Sequence, residues 1–270
     1  MGLFRSSPFH VSRAGVSRLA LAVALAAALG GCAANRPEIT GSVPASNTQL
    51  TDNEWRQQTD SLAAQYRARP NDPEVAIAYA RALRASDQRA QAAAVLQQAS
   101  IRNPNNSAVL GAYGRALADT GRFNEALDIL GKAHTPDQPD WRILNAQGAV
   151  LDQLGRNAEA RRYYETALKI VPNEPSVLSN LGLSYALSKD LERAEATLRR
   201  AAAEPRSEPK VRQNLGVVLA LRSKFEEAER VTMGVLPAEQ ARSNVAYFRE
   251  LMRDASRPKN TGAQKTASAG

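Results

Sequence analysis

The chain has 270 residues, 43% of them hydrophobic but only 5% aromatic, and carries a formal net charge of +8. Its single cysteine, Cys32, excludes an internal disulfide, and with only two histidines, His10 and His134, the sequence holds no Cys/His cluster for zinc. The charge is concentrated at the ends. Arg5, Arg13 and Arg18 supply three positive charges and Arg257, Lys259 and Lys265 three more, which leaves +2 on residues 32–255. A nucleic-acid-binding domain shows a basic excess over its whole body, so no nucleic-acid partner is expected.

Residues 1–31 read as an export signal. The three arginines form a basic start with no acid before Glu38, and Leu19–Leu29 is an apolar run of 11 residues. A bilayer span needs about 20 apolar residues, so the run fits the apolar region of a signal peptide instead. It ends in Leu29-Gly30-Gly31-Cys32. This resembles a bacterial lipobox, which implies cleavage before Cys32 and lipidation of that residue, and hence a membrane anchor. Ala33 stands where an aspartate would favour retention in the inner membrane, so the resemblance implies the periplasmic face of the outer membrane. Residues 32–50 are polar, contain Pro, Ser and Gly, and show no helical period, which predicts a tether. The 17 residues after Cys32 span roughly 55–60 Å when fully extended.

Residues 51–72 are expected to form an N-terminal capping element, an amphipathic helix over Trp55–Arg69 that closes at Pro70. A ladder then begins. Ala92, Ala126, Ala160, Ala194 and Ala228 recur every 34 residues, and Ala80, Gly114, Gly148, Gly182 and Gly216 recur in the same frame. Five repeats follow without insertion: 73–106, 107–140, 141–174, 175–208 and 209–242. Each reads as two helices. Leu178, Leu181, Gly182 and Tyr185 share one face of a first helix, and Ala194, Leu198 and Ala201 share one face of a second. A glycine inside a helix costs about 1 kcal/mol relative to alanine, so its recurrence needs a reason. Close approach of two helices supplies one, with Gly182 expected to face Ala194. Pro104, Pro172 and Pro205 mark the ends of second helices. Thr232 and Val235 depart from the pattern, which makes the second helix of repeat five the weakest. Residues 243–255 are expected to form a C-terminal capping helix, with Ser243–Asp254 its helical part, and residues 256–270 a disordered tail.

The period and its small residues resemble the tetratricopeptide repeat (TPR). Gly148, Leu151, Gly155, Ala160, Tyr164, Ala167 and Pro172 match its consensus in the third repeat. The resemblance implies an all-α fold, a right-handed TPR superhelix (an α-solenoid) of five helix-turn-helix repeats with flanking caps. In that family, positions 2, 5, 9 and 12 of each repeat line the concave face. Here those positions place Arg81, Arg84, Arg115, Arg142 and Asn145 in the N-terminal half of a groove. They place Ser179, Leu183, Ala186, Gln213, Val217 and Ala220 in the C-terminal half, with Asn180, Asn214 and Leu221 nearby. The first set suits carboxylates, because a guanidinium offers a two-pronged fork; the second is expected to be an apolar groove for a peptide. The lysine that some TPR adaptors use to clamp a C-terminal carboxylate is replaced by Ile77, Gly111, Asn145, Ser179 and Gln213, so that clamp does not carry over.

The sequence contains no phosphate-binding Gly-Lys-Ser/Thr loop and no Gly-x-Ser-x-Gly elbow. His134 reads as a satisfied surface residue. No catalytic residue, metal or cofactor is expected, and the chain reads as a non-enzyme. The segment from Val211 to Glu229, with Leu236–Ala241 and Ser243–Arg249, is similar to the TPR lipoproteins of tight-adherence (Tad/Flp) pilus systems. That resemblance implies a pilotin-like helper with protein partners, the secretin or other pilus components, during assembly of a type IV-like pilus machine. A general TPR lipoprotein adaptor in outer-membrane protein insertion or polysaccharide export is the alternative.

Overall fold

A computed structural model describes residues 52–256 apart from residue 136. The export signal, Cys32, the tether and the tail beyond Ser256 lie outside the described residues. Those described form twelve helices and one isolated bridge between Thr135 and Gln138. Helix α1 (Asp52–Ala68) leads into five hairpins: α2 (Pro73–Ala85) with α3 (Arg89–Arg102), α4 (Ser107–Asp119) with α5 (Phe123–Lys132), α6 (Trp141–Gln153) with α7 (Asn157–Ile170), α8 (Pro175–Leu187) with α9 (Leu191–Ala203), and α10 (Pro209–Leu221) with α11 (Phe225–Met233). Helix α12 (Ala238–Ser256) closes the series. The arrangement is an all-α TPR solenoid.

Local chemistry explains the boundaries. Proline occupies the first turn of α2, α8 and α10, where its missing N–H costs nothing. Asp72, Asn106 and Asp140 cap α2, α4 and α6 by accepting from backbone N–H groups of the first turn. Helices α3, α7 and α9 each stop two residues before Pro104, Pro172 and Pro205. Every turn within a hairpin passes through one left-handed residue in the same frame: Asp87, Gly121, Gly155, Lys189 and Ser223. The next N–H then reaches back five residues in a Schellman-type closure, as in Arg156 to Leu151 at 2.8 Å and Lys224 to Leu219 at 2.9 Å.

The glycines make room for a covering side chain and, at Gly114, Gly182 and Gly216, for the backbone of the facing alanine. A Cβ on Gly182 would stand 2.7 Å from Leu198 Cγ and 3.3 Å from the Ala194 carbonyl oxygen. The expected approach of Gly182 to Ala194 is seen at the Ala194 backbone, and the side chain one turn further along α9 also covers the glycine, because residues four apart share a helix face. Leu130, Tyr164 and Thr232 cover Gly114, Gly148 and Gly216 in the same way. Thr232 is the smallest of these covering side chains, and its hydroxyl turns back onto the Ala228 carbonyl at 2.8 Å. Its helix, α11, has nine residues and is the shortest of the twelve.

Core side chains run along the whole stack, and half-buried Leu127, Leu168 and Tyr185 each lie against two of its clusters. Tyr66 of α1 sits against Tyr79 of α2 with ring centroids 5.6 Å apart. At the other end, Ala241, Val245 and Phe248 of α12 are buried, which covers the last repeat. Helix α12 starts five residues before the expected Ser243, directly behind Pro237, whose carbonyl accepts from the Ala241 N–H. Helix α1 likewise starts three residues before Trp55. Polar groups also join repeats. Glu195 of α9 is only 5% exposed and takes ion pairs from Arg199 of α9, Arg222 at the end of α10 and Lys224 at the start of α11. Burial alone would raise its carboxyl, but hydrogen bonds from Lys224 and Arg199 and the neighbouring Arg222 outweigh burial and hold it below the usual glutamate value.

Candidate functional site

The two rows of helices are not equivalent. Each first helix touches the next: α2 meets α4, α4 meets α6, α6 meets α8, α8 meets α10, and α10 meets α12. No pair of second helices makes comparable contact. The stack therefore bends toward its first-helix side, which is the inner face.

On that face the structure opens a cleft of about 680 Å³ across α2, α4, α6 and α8. Arg84, Arg115, Arg142 and Asn145 line it, together with Arg89, Asp119 and Asn180. Small residues, Ala118, Ala146 and Ala149, leave its floor open. Arg81 is exposed beside the cleft and lies near enough to act on Arg115.

The arginines divide by partner. The Arg84 Nε donates to the Asp119 carboxylate, and Arg89 pairs with Asp87 at 2.9 Å. The guanidinium of Arg142 stacks over the ring of Trp141, 4.5 Å from its centroid. Arg115 is half-buried and has neither a hydrogen bond nor an ion pair among the described residues. Burial first, then repulsion from Arg84 and Arg81, pulls its guanidinium below the usual arginine value; Asp140 and Asp119 offset part of this.

The C-terminal half of the inner face differs from the sequence expectation. Leu183 is 8% exposed, Ala186 and Ala220 are fully or almost fully buried, and Leu221 is buried with them, all within one core cluster. Ala186, Ala220 and Leu221 are thus corrected from groove lining to packed core. A smaller cleft of about 150 Å³ remains, lined by Ser179, Asn180, Leu183 and Asn214 with charged residues at its rim. Gln213 and Val217 are half-buried on α10 and line neither cleft. His134 is also corrected. It is half-buried, its Nε2 lies 3.0 Å from Oε1 of buried Gln147, and its buried Nδ1 has no partner among the described residues. The segment after α5 tucks it against α6.

Sequence positions alone did not reveal the pairing along the inner face. Arg84 with Asp119, Asn145 with Asn180 (3.0 Å) and Ser179 with Asn214 (3.0 Å) are each separated by 35 residues. That is the repeat period plus one, so each polar group meets the neighbour of its own equivalent. The same rule applied to the sequence would have separated paired Arg84 from free Arg115.

Residues 83–148 and 145–209 match family models described as tetratricopeptide repeat. The chain carries tetratricopeptide repeats, which are protein-interaction scaffolds and typically have no catalytic chemistry of their own. No curated protein matched the sequence. Among solved structures, the chain is similar to Pseudomonas aeruginosa pilF at 16% identity and a TM-score of 0.55, covering 88% of this chain and 98% of that one. It is similar to human IFIT1, solved as a dimer with PPP-AAAA, at 16% identity and a TM-score of 0.60 over 74% of this chain. A chain of the APC/C hetero-tetramer Cut9-Hcn1 matches at 14% identity and a TM-score of 0.59 over 73%. The match spans 51% of the IFIT1 chain and 40% of the Cut9-Hcn1 chain. These likenesses show the fold alone.

Proposed function

We propose that this chain is a non-enzymatic scaffold, anchored by lipid at Cys32 to the periplasmic face of the outer membrane, that binds a protein partner on its inner face during assembly of a Tad/Flp pilus machine. The observation that carries the binding part is the arginine-lined cleft, which opens on the side toward which the stack bends. The sequence features that support the address are the lipobox before Cys32 and the polar tether behind it. The similarity of the stretch from Val211 to TadD, the TPR lipoprotein of these systems, supports the pilus assignment and a pilotin-like role toward the secretin. The pilF fold extends over nearly the whole of both chains, which is consistent with this layout.

The test is co-purification. The lipidated full chain is extracted from native membranes in mild detergent and its companions are identified by mass spectrometry. Recovery of the secretin or of periplasmic pilus components is expected. Recovery of outer-membrane insertion or polysaccharide-export components instead would transfer the scaffold to that alternative setting.

A further inference from the structure

Arg115 is the least compensated charge of the inner face. Four arginines line the cleft against one carboxylate, Asp119. Arg84 already engages Asp119, and Arg89 turns to Asp87. Arg115 and Arg142 are left without an anion. A half-buried guanidinium has lost part of its hydration and regains nothing from a partner here. Arg84 and Arg81 add repulsion. An incoming anion would relieve both costs.

Nearby residues leave the space free. Ala118, Ala146 and Ala149 along the cleft carry no bulk beyond a methyl group. Ala118, Ala146, Ala149 and Val150 add an apolar lining beside the charge. That combination suits an aliphatic stem ending in an anion. Side-chain carboxylates are scarce in the segments flanking the described residues: residues 257–270 carry none and residues 1–50 carry Glu38 alone, which favours a partner as the source.

We infer that the Arg115 cleft binds a carboxylate of a partner's acidic peptide segment, with the guanidinium fork of Arg115 as the main contact and Arg142 as the second. This rests on the reading of the inner face as the binding face. The apolar lining beside the charge favours a carboxylate on an aliphatic stem over a free phosphate. The carboxylate comes from a glutamate or aspartate side chain or from a chain terminus. Both present the same planar pair of oxygens to an arginine fork.

The experiment uses the full lipidated chain in detergent micelles with ¹⁵N-labelled arginine, and reads the Nε–Hε resonances. The probes are an acetylated and amidated Gly/Ser peptide with two adjacent glutamates, its glutamine twin, a Gly/Ser peptide with a free C-terminal carboxylate, and inorganic phosphate. The glutamate peptide is expected to shift Arg115 and Arg142, and its twin is not. Arg115→Gln should weaken binding about tenfold and Arg115→Lys less, with far-UV circular dichroism unchanged in both. A shift from the free-carboxylate peptide alone would assign the source to a chain terminus. If neither carboxylate peptide moves Arg115, or phosphate moves it more strongly than both, the inference is overturned. Shifts confined to inner-face residues other than Arg115 and Arg142 would overturn it while the reading of the face stands. A partner that cross-links only to second helices would overturn both.

Discussion

Tyr164→Ala is expected to cost the middle of the array about 3–5 kcal/mol, the range for losing a large buried aromatic side chain. Tyr164 is 1% exposed and the largest fully buried side chain among the described residues. Its ring fills the space that Gly148 leaves, since a Cβ on that glycine would stand 2.5 Å from Tyr164 Cε1. Its hydroxyl donates to Asp152 Oδ2 at 2.9 Å, while Asn157 and Ser184 donate to Oδ1 at 2.7 and 2.8 Å. These four residues tie α6 and α7 to α8 of the next repeat. Burial raises the Asp152 carboxyl above the usual aspartate value, and the three donors and Arg161 only partly offset it. Losing one donor leaves that group worse off, so Tyr164→Phe should cost about 1–2 kcal/mol by itself. In a repeat stack the damage stays close to its source. Hydrogen exchange read by mass spectrometry should show α6 to α8 losing protection while α2 and α3 keep theirs. Unchanged protection in α6 to α8 would mean that the Gly148–Tyr164–Asp152 node does not hold the repeats together.

Cys32→Ala should lower the outer-membrane fraction of the chain at least about tenfold and abolish labelling by fatty acid. Each acyl methylene that enters a bilayer contributes about 0.8 kcal/mol, and one chain gives marginal binding where two or more anchor firmly. No helix among the described residues is long and apolar enough to cross a membrane. On the proposed lipobox reading, loss of Cys32 leaves the apolar run Leu19–Leu29 uncleaved at that point, and the variant should collect in the inner-membrane fraction. Labelled palmitate and a sucrose gradient read both effects. Persistent label in Cys32→Ala would place the acyl group elsewhere, and an unchanged gradient would remove the anchor from the account.

Much of the fold was legible in the sequence, because a repeat shows the same physical requirement five times. Small residues recur where helices approach, and proline or a capping side chain opens the first helices. The first helices begin at Pro73, Ser107, Trp141, Pro175 and Pro209, in step with the ladder. What covers each glycine was not legible. Periodicity assigns residues to a face, but it does not say that Leu198 joins Ala194 in reaching across to Gly182.

The site was legible by half. The repeat frame brings Arg84, Arg115, Arg142 and Asn145 to one cleft. It does not distinguish a paired arginine from a free one, since that depends on contacts one position past the period. Ala186 and Ala220 follow the same frame yet are closed off, because burial depends on how tightly the next repeat stacks. The alanine and glycine ladder shapes the stack, and the residues that vary within its frame give the inner face its chemistry.

The central claim is that the inner face holds the partner. A photo-cross-linking amino acid at Gln153, which lines the cleft on α6, tests this in native membranes against the same group at Ile101 on α3, which is 66% exposed. A protein adduct is expected from Gln153 that fades when Arg115 is changed to glutamate, and none from Ile101. An adduct from Ile101 with none from Gln153 would contradict it.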